Sequence, residues 1–292
     1  MTMHRSFPTA MSRRGLLRQM MLGSLALAGG CARHVPESSP LQVAQPLPSP
    51  LALPRLPATP RPAVSGSDVM IDLHHHDLVR DFSLARQQSG ILAIMHKASE
   101  GVGWSDRLYG QRREDALNAG LLWGAYHFGT RQYSGGEQAA AFLAAAQPQP
   151  GTLLALDLEM NENNPANSMK LSQAEDFVRA VWAATGRLPL VYVSPNWANG
   201  VKARRHSLDR PIGRDSILAA CDLWLADYRQ SCQIPVAWAD RGWRFWQYTG
   251  DCPTPGPYAD ALRGVSGVDQ CDRNLFAGDH QQLARYWHGM QI

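Results

Sequence analysis

From residue 68 onward, short apolar runs alternate with helical segments, and that alternation restricts the chain to a narrow set of architectures. Val69 to Leu73, Ile91 to Ala98, Leu122 to Phe128, Leu153 to Met160 and Leu190 to Ser194 read as strands. Between them Asp81 to Gln88, Ser105 to Asn118 and Glu137 to Ala146 read as helices, the first two followed closely by Gly90 and Gly120. Ser172, with Glu175 three residues later, predicts a capping box for a fourth helix that ends at Gly186. Beyond residue 194 the helices fade. Leu223 to Tyr228, Arg244 to Tyr248 and Gly267 to Asp272 are strand-like, and His280 to Trp287 is a last helix. Strands separated by helices belong in a parallel sheet. Five strand–helix units followed by three strands predict an α/β fold, a TIM-like barrel of (βα)5β3 form over residues 68–292.

The fourth of these strands carries the chemistry. Leu153-Leu154-Ala155-Leu156-Asp157-Leu158-Glu159-Met160 is mostly apolar, and Pro150-Gly151 bounds it on one side. Side chains at i and i+2 of a strand share a face, with Cα atoms roughly 6.5 Å apart. Asp157 and Glu159 are so spaced. Two carboxylates this close repel when both are ionised, which raises the pKa of one. A proton donor beside an anion is the pair that glycoside hydrolysis uses. A buried ion pair or a metal-binding carboxylate pair would share this spacing.

Active sites of such barrels form at the C-terminal ends of the strands. Asp72, Tyr126-His127, Asp157, Glu159, Tyr192, Ser194, Asp227-Tyr228, Trp246-Gln247 and Asp272 all fall at predicted strand ends. Acids and aromatics converging on one mouth suit a saccharide, since rings stack on pyranose faces and carboxylates bind hydroxyls. Tyr126 and Trp246 have core packing as the alternative.

Eight short stretches, in order, carry a resemblance. They are Ile71-Asp72-Leu73, Lys97-Ala98-Ser99-Glu100-Gly101, Gly124-Ala125-Tyr126-His127-Phe128, Leu156-Asp157-Leu158-Glu159, Val191-Tyr192-Val193-Ser194-Pro195, Trp224-Leu225-Ala226-Asp227-Tyr228, Trp246-Gln247-Tyr248 and Asp272-Arg273-Asn274-Leu275-Phe276. Together this sequence resembles the glycoside hydrolase family 25 lysozymes, over about residues 69–277. The resemblance implies the same barrel and N-acetylmuramidase activity, cutting the β-1,4 bond between N-acetylmuramic acid and N-acetylglucosamine of peptidoglycan with retention. It implies Glu159 as general acid, and Asp157 as the group that orients the 2-acetamido substituent or stabilises the developing cation. Asp72 and Asp272 would complete an acidic floor. Tyr126, Tyr192, Asp227, Tyr228, Trp246 and Gln247 would line the saccharide groove. The nucleophile stays open between the acetamido oxygen and a carboxylate. One stretch departs from the family: after Asp72 stand His74-His75-His76-Asp77, where the family usually shows Ser-His-Tyr-Gln. Asp77 is expected to add charge to the rim and to shift substrate preference. A non-catalytic peptidoglycan-binding lipoprotein and a glycosidase on another acetylated polysaccharide are the alternative functions.

The N-terminus predicts export. Ser12-Arg13-Arg14-Gly15 precedes a short apolar stretch, like a twin-arginine signal, and Leu27-Ala28-Gly29-Gly30-Cys31 resembles a lipoprotein cleavage site. Residues 1–31 are therefore read as a signal peptide with Cys31 as the lipidated residue, and simple cleavage near Gly30 is the alternative. Residues 32–67 hold nine prolines and almost no charge, a tether rather than a folded element. In polyproline geometry it would reach on the order of 100 Å. The expected location is the periplasmic side of a bacterial membrane, or outside the cell, and the expected state is a monomer. Arg5, Arg13, Arg14 and Arg18 more than account for the formal net charge of +3, so no basic surface argues for nucleic acid.

No cofactor or metal is expected. Three consecutive histidines point in different directions and do not converge on one ion. Lys97 with Glu100 reads as a structural ion pair, His127 as a hydrogen-bonded core histidine, and Trp182, Trp197 and Trp287 as packing residues. Cys221, Cys232, Cys252 and Cys271 in an exported protein suggest two disulfides. A 221–232 bridge is disfavoured because a strand of about 20 Å lies between the two, and 252–271 is preferred.

Overall fold

The computed structural model describes residues 66–250, 264–269 and 271–290. Residues 1–65, and with them the expected signal, Cys31 and nearly all of the tether, lie outside the described residues, as does Cys252 with its pairing to Cys271.

Eight strands close into a barrel. They are β1 (Ser67–Leu73), β3 (Ala93–Glu100), β5 (Leu122–Phe128), β6 (Leu153–Asp157), β7 (Leu190–Val193), β8 (Leu223–Ala226), β9 (Phe245–Thr249) and β11 (Asp272–Phe276). Neighbours from β1 through β9 pair in parallel, and β11 pairs antiparallel with both β9 and β1, so the ring is complete. Two short pieces, β2 (Leu78–Val79) and β10 (Val268–Asp269), form a separate ribbon, and β4 (Trp104–Ser105) folds back on β3.

The last strand corrects the sequence expectation. Gly267 to Asp272 was expected to be the eighth strand, with Asp272 at its end. That segment instead supplies the β10 ribbon, and Asp272 begins the barrel strand. Because β11 runs against its neighbours, its first residue lies at the mouth, where the other strands have their last.

The helices α1 (Phe82–Ser89), α2 (Tyr109–Asn118), α3 (Gly135–Ala146) and α4 (Leu171–Thr185) cover the early strands. Each start has a local cause. Asp81 accepts from the Ser83 N–H at 2.7 Å, and Gly90 ends α1 at φ 70°, where a side chain would be strained. Ser134 and Glu137 make a capping box on α3. The box expected at Ser172 and Glu175 is displaced: α4 begins at Leu171, Gln173 accepts from the Lys170 N–H at 3.0 Å, and Glu175 accepts from Ser216 Oγ at 2.7 Å. After β7 only α5 (Pro195–Ala198) and α6 (Ile217–Ala220) occur before β8, four residues each.

Strand alternation divides the core into two layers. Ile71, Ile94, Leu154, Leu156, Val191, Leu223 and Leu225 face the helices, with Phe142, Phe177 and Val181 opposite them. Met70, Met95, Tyr126, Ala155, Tyr192, Trp224, Phe245 and Phe276 fill the barrel. Gly124 is required there, because a Cβ would lie 2.2 Å from Met95 Sδ. α7 (His280–Trp287) follows β11 at the closed end, and its Leu283 and Trp287 plug the base, with Trp287 Nε1 donating to the Trp123 carbonyl at 3.0 Å. Trp197 is buried in the outer layer and Trp182 packs against it, so these tryptophans serve packing. Cys221 and Cys232 are free thiols.

Candidate active site

The mouth of the barrel inherits its residues from the inward positions of the strands. On β1 these are Met70 and then Asp72. On β6 they are Leu153, Ala155 and then Asp157. Leu158 continues the extended path, donating to the Tyr192 carbonyl at 2.9 Å, and its side chain joins the outer layer. Asp157 is thus the last inward residue of β6, and Glu159 follows two residues later, past the outward Leu158. Their oxygens Asp157 Oδ1 and Glu159 Oε1 are both buried. Asp157 is in register with Phe128 on one side and Tyr192 on the other.

Asp72 and Asp272 are directly opposite each other in the antiparallel β1–β11 pair. Like charges so placed destabilise a sheet unless something offsets them. Here the offset is Gln247. Its Nε2 donates to both oxygens of Asp72, at 3.0 and 3.1 Å, and to Asp272 Oδ2 at 3.1 Å. Its Oε1 accepts from the hydroxyls of Tyr192 and Tyr228, both at 2.7 Å. One buried amide thus ties two acids to two tyrosines. Asn274 adds a second support, donating to Asp72 Oδ1 at 2.8 Å while accepting from Trp224 Nε1 at 2.6 Å. Asn274 was not singled out from the sequence. The signal was its position two residues after Asp272, which puts both on one face of a strand.

The same alternation locates the other residues expected at the site. Tyr126 and Tyr192 point into the barrel and pack edge-on against Trp224, at 6.1 and 4.9 Å. Tyr228 is 39% exposed and stands at the rim. Trp246 alternates with the inward Phe245 and Gln247, so its ring lies behind the sheet in the outer layer, 5.8 Å from Trp243, with Nε1 donating to the Asp227 carbonyl. Asp227 also turns away from the barrel interior. Its two oxygens bind Arg229 Nε and Nη2 at 2.7 and 2.8 Å, and it caps the Gln233 N–H at 2.8 Å. The expectation that Trp246 and Asp227 line the groove is corrected accordingly: the first packs a strand and the second pins a loop.

Asp77 is likewise no rim charge. It is buried and closes the turn after β1, its Oδ2 accepting from the His74 N–H at 2.6 Å. Among the described residues no group of three His, Cys, Asp or Glu side chains is placed to hold a metal ion. Lys97 pairs with Glu100 at 2.6 Å and lies over the Phe128 ring. His127 bridges Ser99 Oγ and Gln138 Oε1 and stacks on Phe177, and burial lowers its pKa to about 3. Burial likewise lowers His96 to about 4, with its Nε2 facing Arg112 Nη1 at 3.1 Å. Both are neutral at ordinary pH, and neither faces the acids.

A closed barrel that gathers four carboxylates and two tyrosine hydroxyls at one mouth is the framework of a glycoside hydrolase. A family model described as glycosyl hydrolases family 25 matches residues 71–257. The chain belongs to that family. It is 26% identical over 230 residues to Lysozyme M1 of Streptomyces globisporus, covering 73% of this chain and 69% of that one. The bacterial lysozyme from Streptomyces coelicolor superposes with a TM-score of 0.63 at 26% identity, covering 78% of this chain and all of the other. The muramidase from Acremonium alcalophilum gives 0.60 at 26% identity, covering 75% and 98%.

Proposed function

We propose that this chain is a lysozyme, cutting the β-1,4 bond between N-acetylmuramic acid and N-acetylglucosamine in peptidoglycan. What supports the reading is that Asp157 ends the inward row of β6, with Glu159 two residues on past the outward Leu158, beside an acidic floor held by Gln247. Glu159 protonates the departing sugar oxygen. The 2-acetamido oxygen attacks the anomeric carbon, with Asp157 orienting the amide and balancing its positive charge. Glu159, now a carboxylate, takes a proton from water as that water attacks the same carbon and displaces the acetamido oxygen, restoring the amide; two inversions retain configuration. Tyr228 and the hydroxyl of Tyr192 hold the glycan against the floor. The exported, Cys31-anchored form on the periplasmic face belongs to this proposal, resting on the signal-like N-terminus and the proline-rich tether.

Glu159→Gln tests the assignment. Removing a general acid costs on the order of 10²–10⁴ in rate. Release of new reducing muramic ends from purified sacculi, read by mass spectrometry, should fall by that factor while the circular dichroism spectrum stays that of the parent. A Glu159→Gln protein that digests sacculi at the parental rate refutes it.

A further inference from the structure

The turn after β1 is more rigid than a loop needs to be. Asp77 N–H donates to the His74 carbonyl at 3.1 Å, closing the turn. Arg112 donates to the His74 and Asp77 carbonyls at 2.7 and 2.5 Å. Asp106, buried beneath, accepts from the His75 N–H at 2.8 Å and faces its Nδ1 at 3.3 Å. This bracing displays two imidazoles at the surface. The rings of His75 and His76 are 3.9 Å apart, and the His75 ring is 5.4 Å from Trp104. Trp104 belongs to the short β4 piece and is 38% exposed. Of these three neighbouring rings, His75 is held by Asp106 and Trp104 lies against Lys97, while His76 stands exposed beside them.

The shelf is continuous with the acids. Lys97 Nζ lies 4.9 Å from the Trp104 ring and 4.7 Å from the Phe128 ring. Phe128 is in register with Asp157. On the other side, the turn begins two residues after Asp72. We propose that His75, His76 and Trp104 form an aromatic shelf that stacks on a sugar ring of the glycan beyond the one meeting Glu159, and so sets preference among glycan strands.

The chemistry favours a neutral sugar over an anion. Burial, chiefly, and then the neighbouring imidazoles hold His75 and His76 below the ordinary histidine range. Asp106 and Asp77 pull the other way, and Lys97 adds to the repulsion on His75. At neutral pH the two imidazoles are neutral; in acid they become cationic and more strongly hydrated, which weakens their stacking on a sugar, while Trp104 does not titrate. No metal group is formed there among the described residues.

The proposal rests on the lysozyme reading, and the experiment separates the two. Full-length parent, Trp104→Ala, His76→Ala and His76→Phe are compared on long and short purified glycan fragments. A stacked ring contributes on the order of 1 kcal/mol, and each 1.4 kcal/mol is tenfold. KM on long fragments should rise about fivefold in both alanine variants, with kcat within twofold, and His76→Phe should restore it. A His75→Phe/His76→Phe double variant should also lose the rise in KM that the parent shows in acid. Unchanged KM, or equal rises on long and short fragments, overturns the shelf. A parent that releases no reducing ends overturns the lysozyme reading instead. In that event calorimetric binding of the same fragments by the parent and by Trp104→Ala decides the shelf, with equal affinities overturning it.

Discussion

Gln247→Leu is the sharpest test of how the acidic floor is held. The amide is buried, 1% exposed, and bonds four side chains. Leucine has nearly the same volume, so no cavity opens and only polar contacts are lost. Bonds to charged groups contribute about 1.5–3 kcal/mol each and neutral ones about 0.5–1.5. Tyr228 stands at the rim, where water replaces the amide, so its bond counts for little. Asp72 keeps its contact to Asn274 Nδ2 at 2.8 Å. What remains is roughly one charged bond at Asp272, part of one at Asp72 and the neutral bond from Tyr192, together about 3–4 kcal/mol. Two facing carboxylates also lose the donor between them. For a domain of this size the melting temperature should fall by about 6–16 °C. Scanning calorimetry of the purified protein measures it, and kcat/KM on sacculi should fall as well. Gln247→Glu adds a third acid at the same place. Its folded-state pKa would lie above the unfolded value, so the folded protein binds more protons, and stability should be retained in acid and lost as pH rises. A Gln247→Leu protein melting within 2 °C of the parent would refute the account of the floor.

The buried histidines predict the opposite pH trend. His96 and His127, lowered by burial to about 4 and about 3, stay neutral when folded and protonate when unfolded near pH 6.5. Stability should be full above pH 6.5 and fall toward pH 4, by up to about 1.4 kcal/mol per pH unit for each fully linked histidine. His127→Gln should flatten that slope in chemical-denaturation titrations even while lowering stability at pH 7, and an unaltered slope would count against it. Trp246→Ala should destabilise by about 3–5 kcal/mol, as aromatic truncation in a core does, with KM of the folded protein within twofold of the parent. A large rise in KM at parental stability would return Trp246 to the groove.

Much of the barrel was legible because its period is simple. Seven of the eight barrel strands overlap the predicted segments, since buried parallel strands read as unbroken apolar runs. The eighth shares only Asp272, because Val268–Asp269 and Asp272–Phe276 lie close together and a direction reversal leaves no mark in composition. The i, i+2 spacing is what singles out Asp157 and Glu159 as candidates. That rule also places Trp246 opposite Gln247, but proximity to a strand end outweighed it in the reading. Asp227 misled for a different reason: its partner Arg229 is two residues away in a loop whose course is set by the Gln233 contact. Asn274 matters through Trp224 and Asp72, both distant in sequence; its i+2 spacing from Asp272 marks the face it occupies but not these partners.

The antiparallel closing strand has a consequence for when the molecule becomes active. Asp72 meets Asn274 across 202 positions of chain, by way of the strand that closes the barrel. A nascent polypeptide ending after β9 already carries Asp157 and Glu159, yet it has neither Asp272 nor the ladder that fixes Asp72. On the proposed mechanism, cutting ability would then arrive only with β11, and a chain terminated before it would be inert rather than weakened.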